Sequence, residues 1–286
     1  MRRRKMKKGV LLSLLVAIVL AGTASAQAPD TLVVPPSVNG EVLGVLENTI
    51  MGDTTATGDR ANLNRVYKLQ RGAIYFLNGP IRTKGYPLHI IADEDDPADP
   101  TVPPVIAAGI REDGSNTGQL MRAEGDVTLK NLYIVEITPT GAQPWSMMQV
   151  RKDSVTVIVD NCNFELSGGL SLHVRAQWTK VFITNTHYRN AMNQANPYNG
   201  RALEFSGNPV DTLVMMNNTL FNSNSFFFQI RTNIVNFARI EHNTLVNTVK
   251  WPIQWSWQTN AIISNNIFYN VHSYGEAPSD LPGQDF

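Results

Sequence analysis

Apolar and polar positions recur in a fixed order along the second half of the chain. In six eight-residue segments the first, third and eighth positions are apolar, and the fifth is Asn in five segments and His in the other. The segments are 127–134, 157–164, 181–188, 213–220, 238–245 and 261–268. In four copies an Asn follows the fifth position by five residues, at Asn190, Asn222, Asn247 and Asn270. The alternation predicts short β-strands that repeat.

A second family of short strands precedes these segments. Each member places one apolar residue between two polar residues, which is typical of a half-buried strand. The members are Gln149-Val150-Arg151, His173-Val174-Arg175, Glu204-Phe205-Ser206, Gln229-Ile230-Arg231 and Gln254-Trp255-Ser256. One turn of the repeat therefore takes about 24 residues. The interval from Asn185 to Ser206 is seven residues longer, which predicts a protruding loop at about 193–200.

A chain that returns to the same place every 24 or so residues predicts a solenoid of stacked coils. Each residue would lie about 4.8 Å above its counterpart, the spacing of hydrogen-bonded strands. The Asn positions would form a ladder, because Asn tolerates the left-handed backbone region and its amide can bond to the coils above and below. The eighth positions would form an apolar interior column, and Trp255 and Trp257 are also predicted to lie in the core. We predict an all-β parallel β-helix over residues 66–286, after a leading, capping segment at 27–65.

A leucine-rich repeat is the closest competing fold. The run Leu213-x-Met215-x-x-Asn218-x-Leu220 also fits the core of that repeat. A leucine-rich repeat needs a leading Leu-x-x-Leu and often a helix on its convex side, and the sequence has neither pattern. The strand-forming composition of 226–233 and 254–257 favours the β-helix.

The amino terminus reads as a signal peptide at residues 1–26. Six Lys or Arg lie within the first eight residues, an apolar stretch covers 10–21, and Ala24-Ser25-Ala26 forms a cleavage signal before Gln27. The apolar stretch is too short to span a bilayer, which needs roughly 20 residues. We therefore expect a secreted protein that is extracellular, on the cell surface or in the periplasm, without a membrane span.

Charge and cysteine content limit the partners and the sources of stability. Loss of residues 1–26 leaves 18 basic and 24 acidic residues, and this acidic balance argues against a nucleic-acid partner. Cys162 is the single cysteine, so no intrachain disulfide can form. Stability must come from packing, and any anionic ligand must meet a local cluster of Arg.

Two outward columns of polar side chains follow from the strand alternation. Side chains on both sides of an inward residue such as Val150 must point outward. The first column then holds Gln149, His173, Glu204, Gln229 and Gln254, and the second holds Arg151, Arg175, Ser206, Arg231 and Ser256. Arg122, nine residues before Asn131, is expected to extend the second column by one coil. This Arg-bearing face is the candidate binding surface.

The units Asn-Asn-Thr-Leu-Phe-Asn at 217–222 and Asn-Asn-Ile-Phe-Tyr-Asn at 265–270 carry a resemblance to a known family. They resemble units of secreted bacterial right-handed β-helix proteins of the pectate-lyase-like superfamily, many of which are polysaccharide lyases or hydrolases. The resemblance covers about residues 119–271. It implies a right-handed winding and a polysaccharide bound along the Arg-bearing face.

The resemblance also implies roles for individual residues. In pectate-type lyases an Arg removes the proton next to a uronate carboxylate, often with the help of calcium. Carried onto this chain, Arg175 or Arg231 would be the base and Glu204 a calcium ligand. The substrate would be held by Arg122, Arg151, Gln149, His173, Gln229 and Gln254. The chain lacks the Asn-Thr-Asp and Gly-His-Gly pair of polygalacturonases and the Trp-Ile-Asp-His of many pectate lyases.

A second class of function stays open at this stage. The chain could be a structural or adhesive surface solenoid in which the Arg residues only solvate an exposed sheet. The tail after Val271 is rich in Gly, Pro and Asp and offers no segment to cap a stack of coils, although terminal coils normally need a cap. The expectation is that another subunit covers this end or that the sequence is a fragment.

Overall fold

The computed structural model describes residues 30–36, 43–95, 101–111, 113–115, 117–193, 196, 199–231, 233–255 and 257–271. The predicted signal peptide and the tail at 272–286 lie outside the described residues. Within the described part of the chain, none of the helical structure is long and apolar enough to cross a membrane.

The described residues form strands almost throughout. In chain order, the elements are β1 (Asp30–Val34), α1 (Val45–Gly52), β2 (Arg65–Leu69), β3 (Ile74–Leu77), β4 (Ile81–Arg82), β5 (Leu88–Ile91), β6 (Val105–Ala108), β7 (Gln119–Ala123), β8 (Val127–Lys130), β9 (Tyr133–Val135), β10 (Ser146–Val150), β11 (Thr156–Asp160), β12 (Asn163–Glu165), β13 (Leu170–Val174), β14 (Thr179–Thr184), β15 (His187–Ala191), β16 (Arg201–Phe205), β17 (Val210–Met216), β18 (Thr219–Ser223), β19 (Phe228–Ile230), β20 (Ile234–Glu241), β21 (Thr244–Thr248), β22 (Ile253–Gln254), β23 (Trp257–Gln258), β24 (Ala261–Ser264) and β25 (Ile267–Val271).

These strands make three sheets that run the length of a solenoid. Sheet A holds β1, β2, β5, β8, β11, β14, β17, β20 and β23, with β24 also paired to β20. Sheet B holds β4, β7, β10, β13, β16, β19 and β22, and sheet C holds β3, β6, β9, β12, β15, β18, β21 and β25. Successive coils pair in parallel, as in β10 with β13 and β11 with β14. The predicted parallel β-helix is confirmed.

Coil length is regular in part of the stack and variable elsewhere. Paired residues are 24 apart between Val157 and Val181, and 25 apart between Leu213 and Ala238. The predicted loop falls between β15 and β16, where residues 194–195 and 197–198 lie outside the description. A second long connection, between β9 and β10, was not predicted. The period of about 24 residues therefore applies to the regular coils only.

The interior is built from columns of apolar side chains. The eighth-position column is confirmed by register, since Phe164 pairs with Ile134 on one side and Tyr188 on the other. Its last member, Phe268, pairs in register with Leu245 but is 47% exposed, so its placement in the interior was wrong. The rings of Phe164 and Tyr188 stack with centroids 5.0 Å apart. Trp255 is buried as predicted, whereas Trp257 is 66% exposed, so its assignment to the core was wrong.

The Asn positions form ladders at the corners of the coils. All six fifth-position residues have positive φ, from 50° at Asn161 to 59° at Asn131, which is the conformation that Asn tolerates at a bend. Asn161 Nδ2 donates to Asn131 Oδ1 over 3.0 Å. The later Asn residues make a second ladder of the same kind, as in Asn270 Nδ2 to Asn247 Oδ1 over 2.8 Å.

A third ladder runs through the interior and was not predicted. Asn218 and Asn243, the second residues of the Asn-Asn and His-Asn pairs, are almost fully buried. Asn243 Oδ1 accepts from the backbone and side-chain amides of Asn218, each over 3.0 Å. Asn243 Nδ2 in turn donates to the Met215 carbonyl and to Asn266 Oδ1. Every buried amide group of Asn243 is thus satisfied by the coils on either side.

Candidate functional site

The outer face of sheet B carries the residues that the sequence singled out. Core side chains such as Val150, Val174 and Phe205 alternate with polar ones along its strands. In register, the first column runs through Arg82, Arg122, Gln149, His173, Glu204, Gln229 and Gln254. The predicted first column is therefore confirmed as a set of stacked neighbours, and it is two coils longer than expected.

Arg122 lies in the first column and not in the second. It pairs in register with Gln149, and Glu124 occupies the coil position next to Arg151. The connection from Ala123 to β8 is shorter than the equivalent connection from Val150 to β11, so counting back from Asn131 misplaced the residue. Arg122 also reaches Glu124, with Nη2 2.9 Å from Oε1.

The second column presents guanidinium groups to solvent. Arg175 and Arg231 are exposed, and Arg151 is partly exposed. Arg175 follows directly on Arg151 in the stack, because its backbone N–H donates to the Val150 carbonyl over 2.9 Å. Burial and the neighbouring charges of Arg175 and Arg122 lower the pKa of Arg151. Three like charges therefore stand close together on successive coils. The Ser256 position lies outside the description.

Most of the first column is buried, which the alternation did not predict. Gln149, His173, Glu204 and Gln229 are between 5% and 7% exposed. Arg151 lies over Gln149, donating through Nε and Nη2 to Oε1 at 3.0 Å and 2.6 Å. Side chains of the second column thus cover those of the first, and a ligand on this face would meet the arginines before the glutamines.

The buried carboxylate of Glu204 pairs with two arginines, of which Arg201 is buried and Arg231 is exposed. One carboxylate oxygen pairs with Arg201, which is itself 6% exposed, and the other is 3.2 Å from Nη2 of Arg231. Arg231 Nη2 also donates to Gln229 Oε1 over 3.2 Å. Arg201 was not predicted from the sequence, because this residue stands three residues before Glu204 and follows the long loop.

His173 is a neutral imidazole surrounded by positive charge. Burial, together with the charges of Arg175, Arg151, Arg201 and Arg231, lowers the pKa of His173 to about 4. Its Nε2 lies 2.5 Å from Ser206 Oγ, and its Nδ1 has no hydrogen-bond partner among the described residues. The side chain is therefore uncharged near pH 7, and its unpartnered Nδ1 is buried.

The residues around Glu204 do not fit a calcium ion. Calcium takes six to eight oxygen ligands, and both carboxylate oxygens of Glu204 already face guanidinium groups. Across the described residues, no cluster of three or more His, Cys, Asp or Glu side chains could hold a metal. Glu204 as a metal ligand stays a prediction that the resemblance alone supplied.

Comparisons with known proteins place few constraints on this face. No protein-family model and no curated protein matches the sequence. The structure is similar to one described as the structure of the PL6 family alginate lyase AlyGC, with 14% identity and a TM-score of 0.48 over 84% of this chain and 40% of that chain. A mutant of the same lyase gives 11% identity and a TM-score of 0.40 over the same shares.

This chain therefore spans about two fifths of the length of the lyase chains that it matches. With TM-scores below 0.5, the likeness assigns no role to any residue and no activity to the chain.

Proposed function

We propose that this chain is exported and binds an acidic polysaccharide, built from uronate sugars, along the outer face of sheet B. The observation that carries the proposal is the state of the basic side chains on the three sheets. On the strands of sheets A and C, every Lys and Arg in the described residues pairs with a carboxylate. These pairs are Arg65 with Asp53, Lys68 with Asp93, Lys130 with Glu94, Lys180 with Asp211, Arg239 with Glu241, and Arg189 with Glu165.

The face of sheet B differs from the other two sheets. Arg82, Arg151 and Arg175 have no carboxylate partner among the described residues, although they lie on a face that also holds Arg122, Arg201 and Arg231. Stacking uncompensated like charges is unfavourable, and the rest of the protein is acidic once residues 1–26 are removed. A repeating anion that runs along the coils would relieve this repulsion.

A uronate chain matches the face in charge and in spacing. Its carboxylates recur along an extended backbone, and a guanidinium can hold a carboxylate with two parallel hydrogen bonds. The coils repeat about every 4.8 Å, a distance comparable to the advance of one pyranose residue. Consecutive arginines can therefore meet consecutive or alternate sugars.

Chain cleavage by β-elimination is the enzymatic form of this proposal. A base in its uncharged form would take the proton beside the uronate carboxylate, a carbon–carbon double bond would form as the glycosidic C–O bond breaks, and the departing oxygen would take a proton from the protonated base or from water. Of Arg175 and Arg231, the two bases that the resemblance implies, we favour Arg175. Arg231 is engaged by Glu204 and Gln229, whereas Arg175 makes no ion pair with a described residue.

Binding is tested by affinity electrophoresis and calorimetry with alginate, polygalacturonate and a neutral glucan. We expect binding to the two uronate polymers only, weakened about tenfold or more by Arg175→Gln, since a hydrogen bond to a charged group contributes about 1.5 to 3 kcal/mol. Arg239→Gln on sheet A is the matched control and should bind as the wild type does. Equal binding of the neutral glucan, or equal losses in both variants, would refute the proposal.

Cleavage is tested separately, by following ultraviolet absorbance for unsaturated products. An increase that Arg175→Gln abolishes would establish the lyase form. Binding without any increase would leave a carbohydrate-binding solenoid. Silence in both assays would favour the structural or adhesive alternative.

A further inference from the structure

A cavity of about 410 Å³ lies at the amino-terminal end of sheet B, where Arg82 begins the first column. Its walls come from the end of α1, from the connection between α1 and β2, and from β4 with the loop that follows it. The volume falls within the range of about 300 to 1,000 Å³ that is typical of small-molecule sites. The cavity is therefore large enough to hold a sugar residue.

The lining of this cavity is cationic. Arg60, Arg82 and Lys84 contribute to it, and Asp59 is the one acid among its described lining residues. Arg82 and Lys84 are exposed, and neither forms an ion pair with any described carboxylate. The Asp59 carboxylate accepts a hydrogen bond from the Thr57 hydroxyl over 3.0 Å. The cavity thus presents two uncompensated cations to any molecule that enters it.

Arg60 forms a rigid wall behind these two side chains. Its guanidinium lies between two aromatic rings, 4.4 Å from the ring centre of Tyr86 and 5.0 Å from that of Tyr67. Its Nη1 donates to the Asp53 carbonyl, while Nε and Nη2 are buried without a hydrogen-bond partner in the described structure. A charged group held in this way adds to the positive potential of the cavity, and the nearby charge of Asp53 offsets it only in part.

The cavity continues the line of the first column. Arg82 pairs in register with Arg122, and Arg122 pairs with Gln149 on the next coil. The coil of Arg82 lies three coil rises, about 14 Å, from that of Arg175. A ligand that extends along sheet B for three or more sugar residues beyond Arg175 would reach the cavity.

We propose that this cavity is an end subsite that holds the carboxylate of a terminal uronate residue through Arg82 and Lys84. The proposal rests on the function proposed above. It adds that the bound polysaccharide chain ends at the amino-terminal end of the solenoid. Tyr86, half-buried beside the two cations, offers an apolar surface to the ring of the same sugar.

The test compares oligouronates of two lengths, a disaccharide and a hexasaccharide, in calorimetric titrations. The double variant Arg82→Gln/Lys84→Gln should bind the hexasaccharide at least about tenfold more weakly than wild type and bind the disaccharide unchanged. The control Lys180→Gln/Arg239→Gln removes the same charge from sheet A and should change neither affinity. Thermal unfolding of both variants checks that each is folded, which we expect because all four side chains are well exposed.

A hexasaccharide with its carboxylates reduced to alcohols provides the second arm. It should bind neither the wild type nor the double variant measurably, since neither the Arg-bearing face nor the cavity would have an anion to hold. The inference is overturned if Arg175→Gln weakens hexasaccharide binding while Arg82→Gln/Lys84→Gln does not, or if the double variant weakens both lengths by the same factor. If wild type binds neither oligosaccharide, the proposed function itself fails, and the end subsite fails with it.

Discussion

A buried carboxyl group makes the stability of this solenoid depend on pH. Glu136, just after β9, is fully buried, and neither carboxyl oxygen has a hydrogen-bond partner of good geometry in the described structure. Burial raises the pKa of Glu136 to about 8, and the nearby hydroxyls of Ser167 and Ser171 offset this only in part. Near pH 7 the group is therefore protonated in the folded protein and ionised in the unfolded chain.

The size of the effect follows from the two pKa values. Because the folded pKa is raised, stability is greatest below the unfolded pKa of 4.5 and declines as pH rises to about 8, above which it levels off. Each pH unit between the unfolded and the folded pKa lowers the free energy of unfolding by about 1.4 kcal/mol. Compared with low pH, the free energy of unfolding is therefore lower by about 3 kcal/mol at pH 7 and by about 5 kcal/mol at pH 9. Glu136→Gln removes this dependence.

Denaturant unfolding at pH 5, 6, 7 and 8, followed by tryptophan fluorescence, measures the effect. Between pH 5 and pH 8 we expect wild type to lose about 3 to 4 kcal/mol relative to Glu136→Gln. The buried amide of this variant can shift the free energy of unfolding by a constant amount. That shift does not affect the test, because the test compares how the free energy of unfolding changes with pH. Glu94→Gln, at an exposed carboxylate, is the control and should follow wild type. Parallel curves for wild type and Glu136→Gln would show that Glu136 ionises normally.

Three further predictions concern the site and the ladder. Glu204→Gln leaves the buried Arg201 without its carboxylate and should lower the free energy of unfolding by about 3 kcal/mol; an unchanged denaturation midpoint would contradict the buried pair. Because the pKa of His173 is about 4, uronate affinity should stay constant from about pH 5.5 to 8.5, and a decline as pH rises through about 6.5 would show that the imidazole titrates normally. Asn243→Ala breaks four hydrogen bonds in the interior ladder and should cost about 3 kcal/mol in urea unfolding, whereas Asn64→Ala on an exposed loop should cost almost nothing.

The winding and the interior columns could be predicted from sequence because they depend on local alternation. A residue such as Phe164 follows its Asn by three positions in every copy, so its side chain points inward whatever the length of the connections. The register between copies then follows from the repeat. The interior ladder was also readable in principle, since the doublet Asn217-Asn218 places one amide at the bend and the next one inside.

Features that depend on connection length or on neighbouring coils were not predicted. Arg122 was assigned to the wrong column because its coil makes a shorter turn into sheet A than its neighbours do. The alternation predicts that the His173 side chain points outward from the sheet. It does not predict that this side chain is buried, which results from the arginines of adjacent coils. Arg201 and Glu136 sit beside long connections, where the repeat gives no register.

The packing of the first column under the second also bears on how tightly this face could hold a ligand. Ordering a long side chain on binding costs roughly 0.5 to 1.5 kcal/mol, and Arg is among the most flexible. Arg151 is already held by Gln149, and Arg231 by Glu204 and Gln229, so much of that cost is met on folding. Arg175 has no such support among the described residues. Arg151 and Arg231 would therefore fix the position of a bound polysaccharide, and the Arg175 side chain would adjust to it.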